Sequence, residues 1–397
     1  MFFALAFITQ NFIYGIIPLY LPILLRELGY RTAVVGILLA IAEGAGILGP
    51  FLFGRLADRS GNYKGIIVFL YFLPVAVALP IASITHPAIS AVLIILLFAG
   101  YRSAIPLVEA MTTISIGEKG NYGKLRACGS IAYVCFVFFI QWIPVIRPNT
   151  PGNIAFWICL TCILAMIVTL ITPSRYANRK NQKTDPKTEA GTNGLFEAPQ
   201  QKPIWTPVFI IGISIIALSR LAMTPANSFF PLFLVEYMKW DAVGLMFGIA
   251  AISEIPFMFF SHRLIRRFGA MPILAFSCII VALRLGLYAI FPFKAGIIAA
   301  QLLHSFCYGL FHPAAVAFIS YCVPPEKRSF GMTVYMSVGW GLPALLGNFM
   351  CGFIVEYAGY RHLFGFFTIF AILGAAIYFI FNLRLKEIND HGKAEKT

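Results

Sequence analysis

Charge is scarce in this sequence. Asp, Glu, Lys and Arg make up 12% of its 397 residues, and only 16 residues are acidic. A soluble domain carries about 25% charged residues, so a water-facing globular surface over this length is excluded. Long polar stretches are missing too, except for Pro173 to Thr206. No CxxC…CxxC arrangement occurs among the eight cysteines, and neither HExxH nor GxSxG is found. Metal-site and hydrolase chemistry therefore have no signature here. Nothing outside the apolar runs is large enough to serve as the reading domain of a receptor.

What is present is hydrophobic. Apolar residues make up 59% of the chain, in runs of about 20 residues, each long enough to cross a bilayer as a helix. Spans are expected at 2–25, 33–53, 65–85, 88–115, 124–146, 154–172, 207–235, 243–262, 271–291, 295–321, 329–355 and 361–382. Short loops between apolar spans favour helices, because each helix satisfies its own backbone in lipid, whereas a barrel shows ten-residue alternation. The fold class is thus all-α integral membrane, with twelve transmembrane helices in two pseudo-twofold-related six-helix halves. The run from Phe2 to Leu25 is too long for a signal h-region and has no basic n-region, so it reads as an uncleaved first span. The halves are expected at 1–172 and 207–382, with a flexible linker at 173–206 and a tail at 383–397.

A net charge of +14 would suggest nucleic acid in a soluble protein. Here the basic residues alternate between loops. One set of loops with the tail holds twenty Lys and Arg, the other six. Basic loops stay cytoplasmic, so both termini are expected inside, in the cytoplasmic (inner) membrane, and no nucleic acid partner is implied. The linker, containing NRKNQKTDPKTEAGTNG, is too polar to bury a core.

The halves share sequence. Gly36–Gly61 (GILLAIAEGAGILGPFLFGRLADRSG) aligns without a gap to Gly244–Gly269 (GLMFGIAAISEIPFMFFSHRLIRRFG), and the same offset maps Glu118-Lys119-x-x-Tyr122-Gly123 onto Glu326-Lys327-x-x-Phe330-Gly331. Two matches at one offset mark an internal repeat. Parallel halves imply an axis along the membrane normal and a site between them near the midplane.

The loop after the second span reads Gly54-Arg55-Leu56-Ala57-Asp58-Arg59-Ser60-Gly61-Asn62-Tyr63-Lys64. It resembles the G-x-L-a-D-r-x-G-r-k signature of the major facilitator superfamily. Gly54, Asp58, Arg59 and Gly61 would then form a cytoplasmic gate motif, with glycines for the turn and charges to latch neighbouring helix ends. Its copy, His262 to Gly269, lacks the Asp. Val108-Glu109-Ala110 and the run from Gly123 to Tyr133 resemble spans 4 and 5 of lactose permease and its relatives, which include phenylpropionate permeases and nucleoside–proton symporters. The resemblance implies substrate contacts at Glu109, Arg126 and Tyr133. It also places Glu254, Arg284 and His304 where that group has a Glu, an Arg and a His in spans 8, 9 and 10. Cys307 stands where lactose permease has a proton-carrying Glu, which favours the phenylpropionate or nucleoside branch.

Ionisable residues in the hydrocarbon layer cost about 2.5–3.5 kcal/mol each on insertion scales. Glu43, Arg102, Glu109, Arg126, Arg220, Glu254, Arg284, His304 and His312 therefore need reasons. Arg102 and Glu109, seven apart, share a face of span 4. Arg126, Ser130 and Tyr133 form a stripe on span 5. Substrate contacts are expected at Glu109, Arg126, Ser130, Tyr133 and Arg220, with Glu109 and Arg126 as partners. Proton coupling is expected at Glu254, Arg284, His304 and Glu43, with Arg284 tuning Glu254 directly; His312 reads as structural. Four arginines face three glutamates, which an organic anion would balance.

The expected function is proton-coupled symport of a small organic solute by alternating access. An aromatic or other organic acid is favoured, then a nucleoside or sugar; the second reading is an uncoupled facilitator or an exporter. The chain is not expected to be an enzyme. Its partners would be solute and lipid bilayer, with the protein working as a monomer without metal or cofactor, driven by a proton gradient.

Overall fold

A computed structural model describes residues 2–116, 122–173, 204–324 and 327–394. Among these, nearly every residue is helical and no sheet forms. Ten helical stretches are long and apolar enough to cross a membrane, and an eleventh, Val243–Phe268, qualifies across a bend. One of the ten, Phe330–Asn382, is divided at Gly359, where φ is 81°. Twelve passes result. They are α1 (Phe2–Glu27), α2 (Thr32–Ser60), α3 (Tyr63–Ile81), α4 (Pro87–Ile116), α5 (Tyr122–Trp142), α6 (Pro151–Ile171), α7 (Pro207–Tyr237), α8 (Val243–Phe268), α9 (Ala270–Ile290), α10 (Lys294–Cys322), α11 (328–358) and α12 (360–394).

Local chemistry sets the ends. Thr150 and Thr206 each cap a helix whose first residue is proline, their hydroxyls accepting from the Asn153 and Phe209 amides. Such a cap meets an orphan donor, and proline lacks one there. The repeat's closing glycines act alike: Gly61 ends α2 at φ 65° and Gly269 ends α8 at φ 87°. A side chain resists that region. Gly54, by contrast, lies inside α2, so the motif's turn rests on Gly61 alone.

The sequence expectations for 173–206 and for Glu118, Lys119 and Glu326 fall largely or wholly outside the described residues. The tail expected after 382 continues the last helix to Ala394.

The halves meet at the face opposite the linker. Two interhelical crossings are made by glycine. A Cβ on Gly36 of α2 would stand 2.6 Å from both the Asn348 carbonyl oxygen and the Gly352 Cα of α11. A Cβ on Gly244 of α8 would stand 2.5 Å from the Val137 carbonyl oxygen of α5. Three described ion pairs join the halves at this face: Arg26–Glu236 at 2.5 Å, Arg31–Glu356 at 2.7 Å and Arg147–Asp241 at 2.7 Å. Every arginine comes from the first half and every carboxylate from the second. Tyr360 and Thr32 also donate to Glu236 and Glu356, at 2.5 and 2.6 Å.

Candidate transport site

Between these crossings and the linker face lie the intramembrane charges. In the second half, α8, α9 and α10 bring Glu254, Arg284 and His304 together. Gly309 lets α10 approach α8: a Cβ there would stand 3.3 Å from the Glu254 carbonyl oxygen. Arg284 Nη1 lies 2.6 Å from His304 Nδ1, and His304 Nε2 lies 2.6 Å from Glu254 Oε1. A guanidinium only donates, so Nδ1 accepts, the ring proton sits on Nε2, and Nε2–H donates to the carboxylate. Arg284 is 2% exposed and otherwise fully engaged. Nη2 donates to Gln301 Oε1 at 2.8 Å, and Nε to the Tyr288 hydroxyl at 3.1 Å. Arg284 thus reaches Glu254 through His304. The direct Arg–Glu contact expected from sequence is not made, because the imidazole occupies the space between them.

In the first half, Arg102 turns away from Glu109. Its Nη2 lies 3.0 and 3.1 Å from the two carboxylate oxygens of Glu43 on α2. The stem crosses Gly46, where a Cβ would meet it at 3.3 Å. Each half therefore carries an acid on its second span bridged to a base on its fourth. The first base is a permanently charged guanidinium; the second can exchange protons.

Glu109 and Arg126 form no ion pair with each other. Arg126 is exposed near the start of α5, and its charge acts instead on His312 of the opposite half. Ser130 is exposed, and its hydroxyl stands 3.5 Å from the Arg126 carbonyl. Tyr133 is half-buried, and Glu254 lies near enough for its charge to act on both Tyr133 and Tyr308. The α5 stripe thus faces the relay across the interface between halves.

Arg220 on α7 is 4% exposed. Its Nη2 donates to the Cys307 carbonyl at 2.6 Å, within the π-helical turn Ser305–Gly309. Its guanidinium carbon lies 3.8 Å from the Phe311 ring centroid and 5.1 Å from that of Trp340. Nε and Nη1 are buried without a hydrogen-bond partner among the described residues. His312 Nδ1 lies 2.8 Å from the Tyr335 hydroxyl.

At the linker face, Asp58 accepts from the Tyr63 hydroxyl. Lys64 Nζ donates to the carbonyls of Leu170 and Thr172 at 2.7 and 2.8 Å. Arg55 and Arg59 are exposed. The motif region thus ties α2, α3 and α6 within one half. Among the described residues no group of three or more His, Cys, Asp or Glu is placed to hold a metal.

Sequence reading overlooked Gln301, Tyr288 and the ion pairs between the halves. A signal for the last was available: Glu236, Asp241 and Glu356 fall just outside the expected spans 207–235, 243–262 and 329–355, where only cations were counted.

A family model described as "MFS_1 like family" matches residues 5–366. The maltose permease of Geobacillus stearothermophilus is 24% identical over 380 residues, covering 95% of this chain and 92% of the relative. A probable 3-phenylpropionic acid transporter of Escherichia coli is 23% identical over 386 residues, covering 95% and 96%. The crystal structure of a mutant of the nucleoside transporter NupG superposes with a TM-score of 0.80 at 16% identity, covering 96% of this chain and 98% of that one. At that identity the last likeness shows the fold. Relatives and fold are those of transporters, not enzymes. With the match running through nearly all twelve spans, the chain belongs to the MFS_1 like family of membrane transporters.

Proposed function

We propose that this transporter is a proton-coupled symporter of a small organic acid, working by alternating access in the cytoplasmic membrane with both termini inside. The observation that carries the reading is the chain Arg284–His304–Glu254, which spans α9, α10 and α8 beside the interface between halves. Ionisable groups at this depth are costly in lipid, which marks the relay as a functional candidate. As a carboxylate, Glu254 accepts the His304 proton. Once protonated, Glu254 loses its charge and keeps a carbonyl oxygen as acceptor, so the bond from His304 Nε2–H changes from charge-assisted to neutral. Proton loading therefore weakens one link and eases a shift of α8 against α10. Binding of solute from the α5 side, at Arg126, Ser130 and Tyr133, biases the same element; that is coupling between two sites. The printed names of the relatives include both a sugar permease and an aromatic-acid transporter. The excess of arginine over glutamate in the spans favours the acid.

Movement of the halves 1–172 and 207–382 about the glycine crossings would expose the site alternately. The test is Glu254→Gln in proteoliposomes. Gradient-driven accumulation is expected to vanish while solute exchange without a gradient persists. Full accumulation by the variant would remove Glu254 from the mechanism. Accumulation by the parent that ignores the gradient would leave a facilitator.

A further inference from the structure

We infer that Arg220, with His312 and Arg126, forms the subsite for the solute's carboxylate, and that the solute is an aromatic monocarboxylate. This rests on the organic-acid reading above and names its site and class.

The argument starts from unpaired charge. Among the charges in the spans, Arg102 is held by Glu43 and Arg284 is enclosed by His304, Gln301 and Tyr288. Among the described residues, Arg220 has no acid beside it. It is more than nine-tenths buried, and two of its nitrogens make no hydrogen bond. An unpaired buried guanidinium costs several kcal/mol, which a bound carboxylate would offset. Nε and Nη1 lie on different edges of the planar guanidinium, each edge shared with Nη2, and each keeps an N–H free to donate to a carboxylate oxygen. Nη2, pinned to the Cys307 carbonyl, fixes the orientation of the guanidinium plane.

The surroundings define the rest of the solute. Phe311 and Trp340 wall the guanidinium, and Tyr308 lies 5.9 Å from it. A flat apolar body stacks on such walls. The charges of Arg126 and Arg220 both act on the His312 ring. With Nδ1 turned to the Tyr335 hydroxyl, the ring presents Nε2 to an incoming group. Arg126, exposed on the opposite half, draws the anion in, and Arg220 receives it. Four arginines against three glutamates leave room for one negative charge, so a monocarboxylate fits better than a dicarboxylate. Water does not reach the free Arg220 nitrogens in this conformation, so entry requires the aromatic wall of Phe311, Trp340 and Tyr308 to shift. Trp340 sits in the π-helical turn Ser337–Gly341 and is one of five tryptophans, which makes its fluorescence a reporter.

The experiment uses the full chain in detergent with 3-phenylpropionate and benzoate as probes, each against its neutral amide. The acids are expected to raise the unfolding midpoint and change tryptophan fluorescence; the amides are not. Arg220→Gln should weaken acid binding at least tenfold, Arg220→Lys less, and His312→Gln less again. Each variant is first shown to be folded by its elution profile and unliganded midpoint. Equal shifts from acid and amide, no shift from either acid, or full acid binding by Arg220→Gln would overturn the subsite. Proton uptake in liposomes separates the two readings. Acid binding lost in Arg220→Gln but never accompanied by proton entry would sink symport and keep the subsite. Proton entry driven by a neutral solute and untouched by Arg220→Gln would do the reverse.

Discussion

Arg102 and Arg126 show how little spacing alone says about partners. Arg102 shares a face of α4 with Glu109 and Arg126 lies on the next span, yet Arg102 bends over Gly46 to Glu43, and Arg126 faces the other half. The absent side chain at Gly46 decided the first case, and a local reading of one span could not weigh it. Breaking the Glu43–Arg102 pair leaves a partly buried charge alone. Arg102→Ala should therefore lower stability by about 2 kcal/mol, below the 3–5 kcal/mol typical of a fully buried pair. The neutral pair Glu43→Gln with Arg102→Gln should recover most of that loss. Unfolding midpoints in detergent measure both. A double variant no more stable than the single one would show that the ion pair is not what Arg102 contributes. His304 has a sharper signature. His304→Gln keeps a donor toward Glu254 but removes the imidazole that links Arg284 to it, so proton-driven accumulation should fall at least tenfold while the protein stays folded. Uptake with and without a pH gradient checks this.

At the scale of elements, the glycine crossings are the parts most sensitive to size. Gly36 and Gly352 bring backbone against backbone between α2 and α11. Gly36→Val should hold the halves apart at that face. Distances between spin labels placed on the two outer lips should lengthen by several ångströms, and labelling of the site from outside should rise. Unchanged distances would mean that the crossing yields elsewhere. The span count and the repeat were legible in sequence, because apolar length and a gap-free offset are local properties. The long helix to Ala394 was not, since polar composition after 382 argues for a tail. The His304 bridge was not legible either: Glu254, Arg284 and His304 are named by type and position in the chain, but which of them stands in the middle depends on how α8, α9 and α10 pack.

For the whole molecule, the linker divides what the helices unite. The segment 173–206 should be the first site cut by protease, and only from the side of the termini. Cutting there should leave two fragments that still copurify, since α2 with α11 and α5 with α8 hold the halves together. Fragments that separate in mild detergent would show the linker to be essential for assembly. The three ion pairs opposite it are partly exposed, and such pairs contribute about 1 kcal/mol or less each. Glu236→Gln together with Glu356→Gln should then shift the halves toward opening on that side by a few-fold, read by the same outer labels. An equal shift from raising external salt in the parent protein would identify screening as the cause.

The segregation of those arginines to one half and carboxylates to the other has a consequence for the open state. When the lips part, the mouth becomes a pair of oppositely charged plates rather than a neutral rim. The field between them pulls the plates back together, with a restoring force that weakens as external salt rises. It also sorts what arrives: an anion entering from that side is drawn to the wall of the first half, the half that carries Arg126.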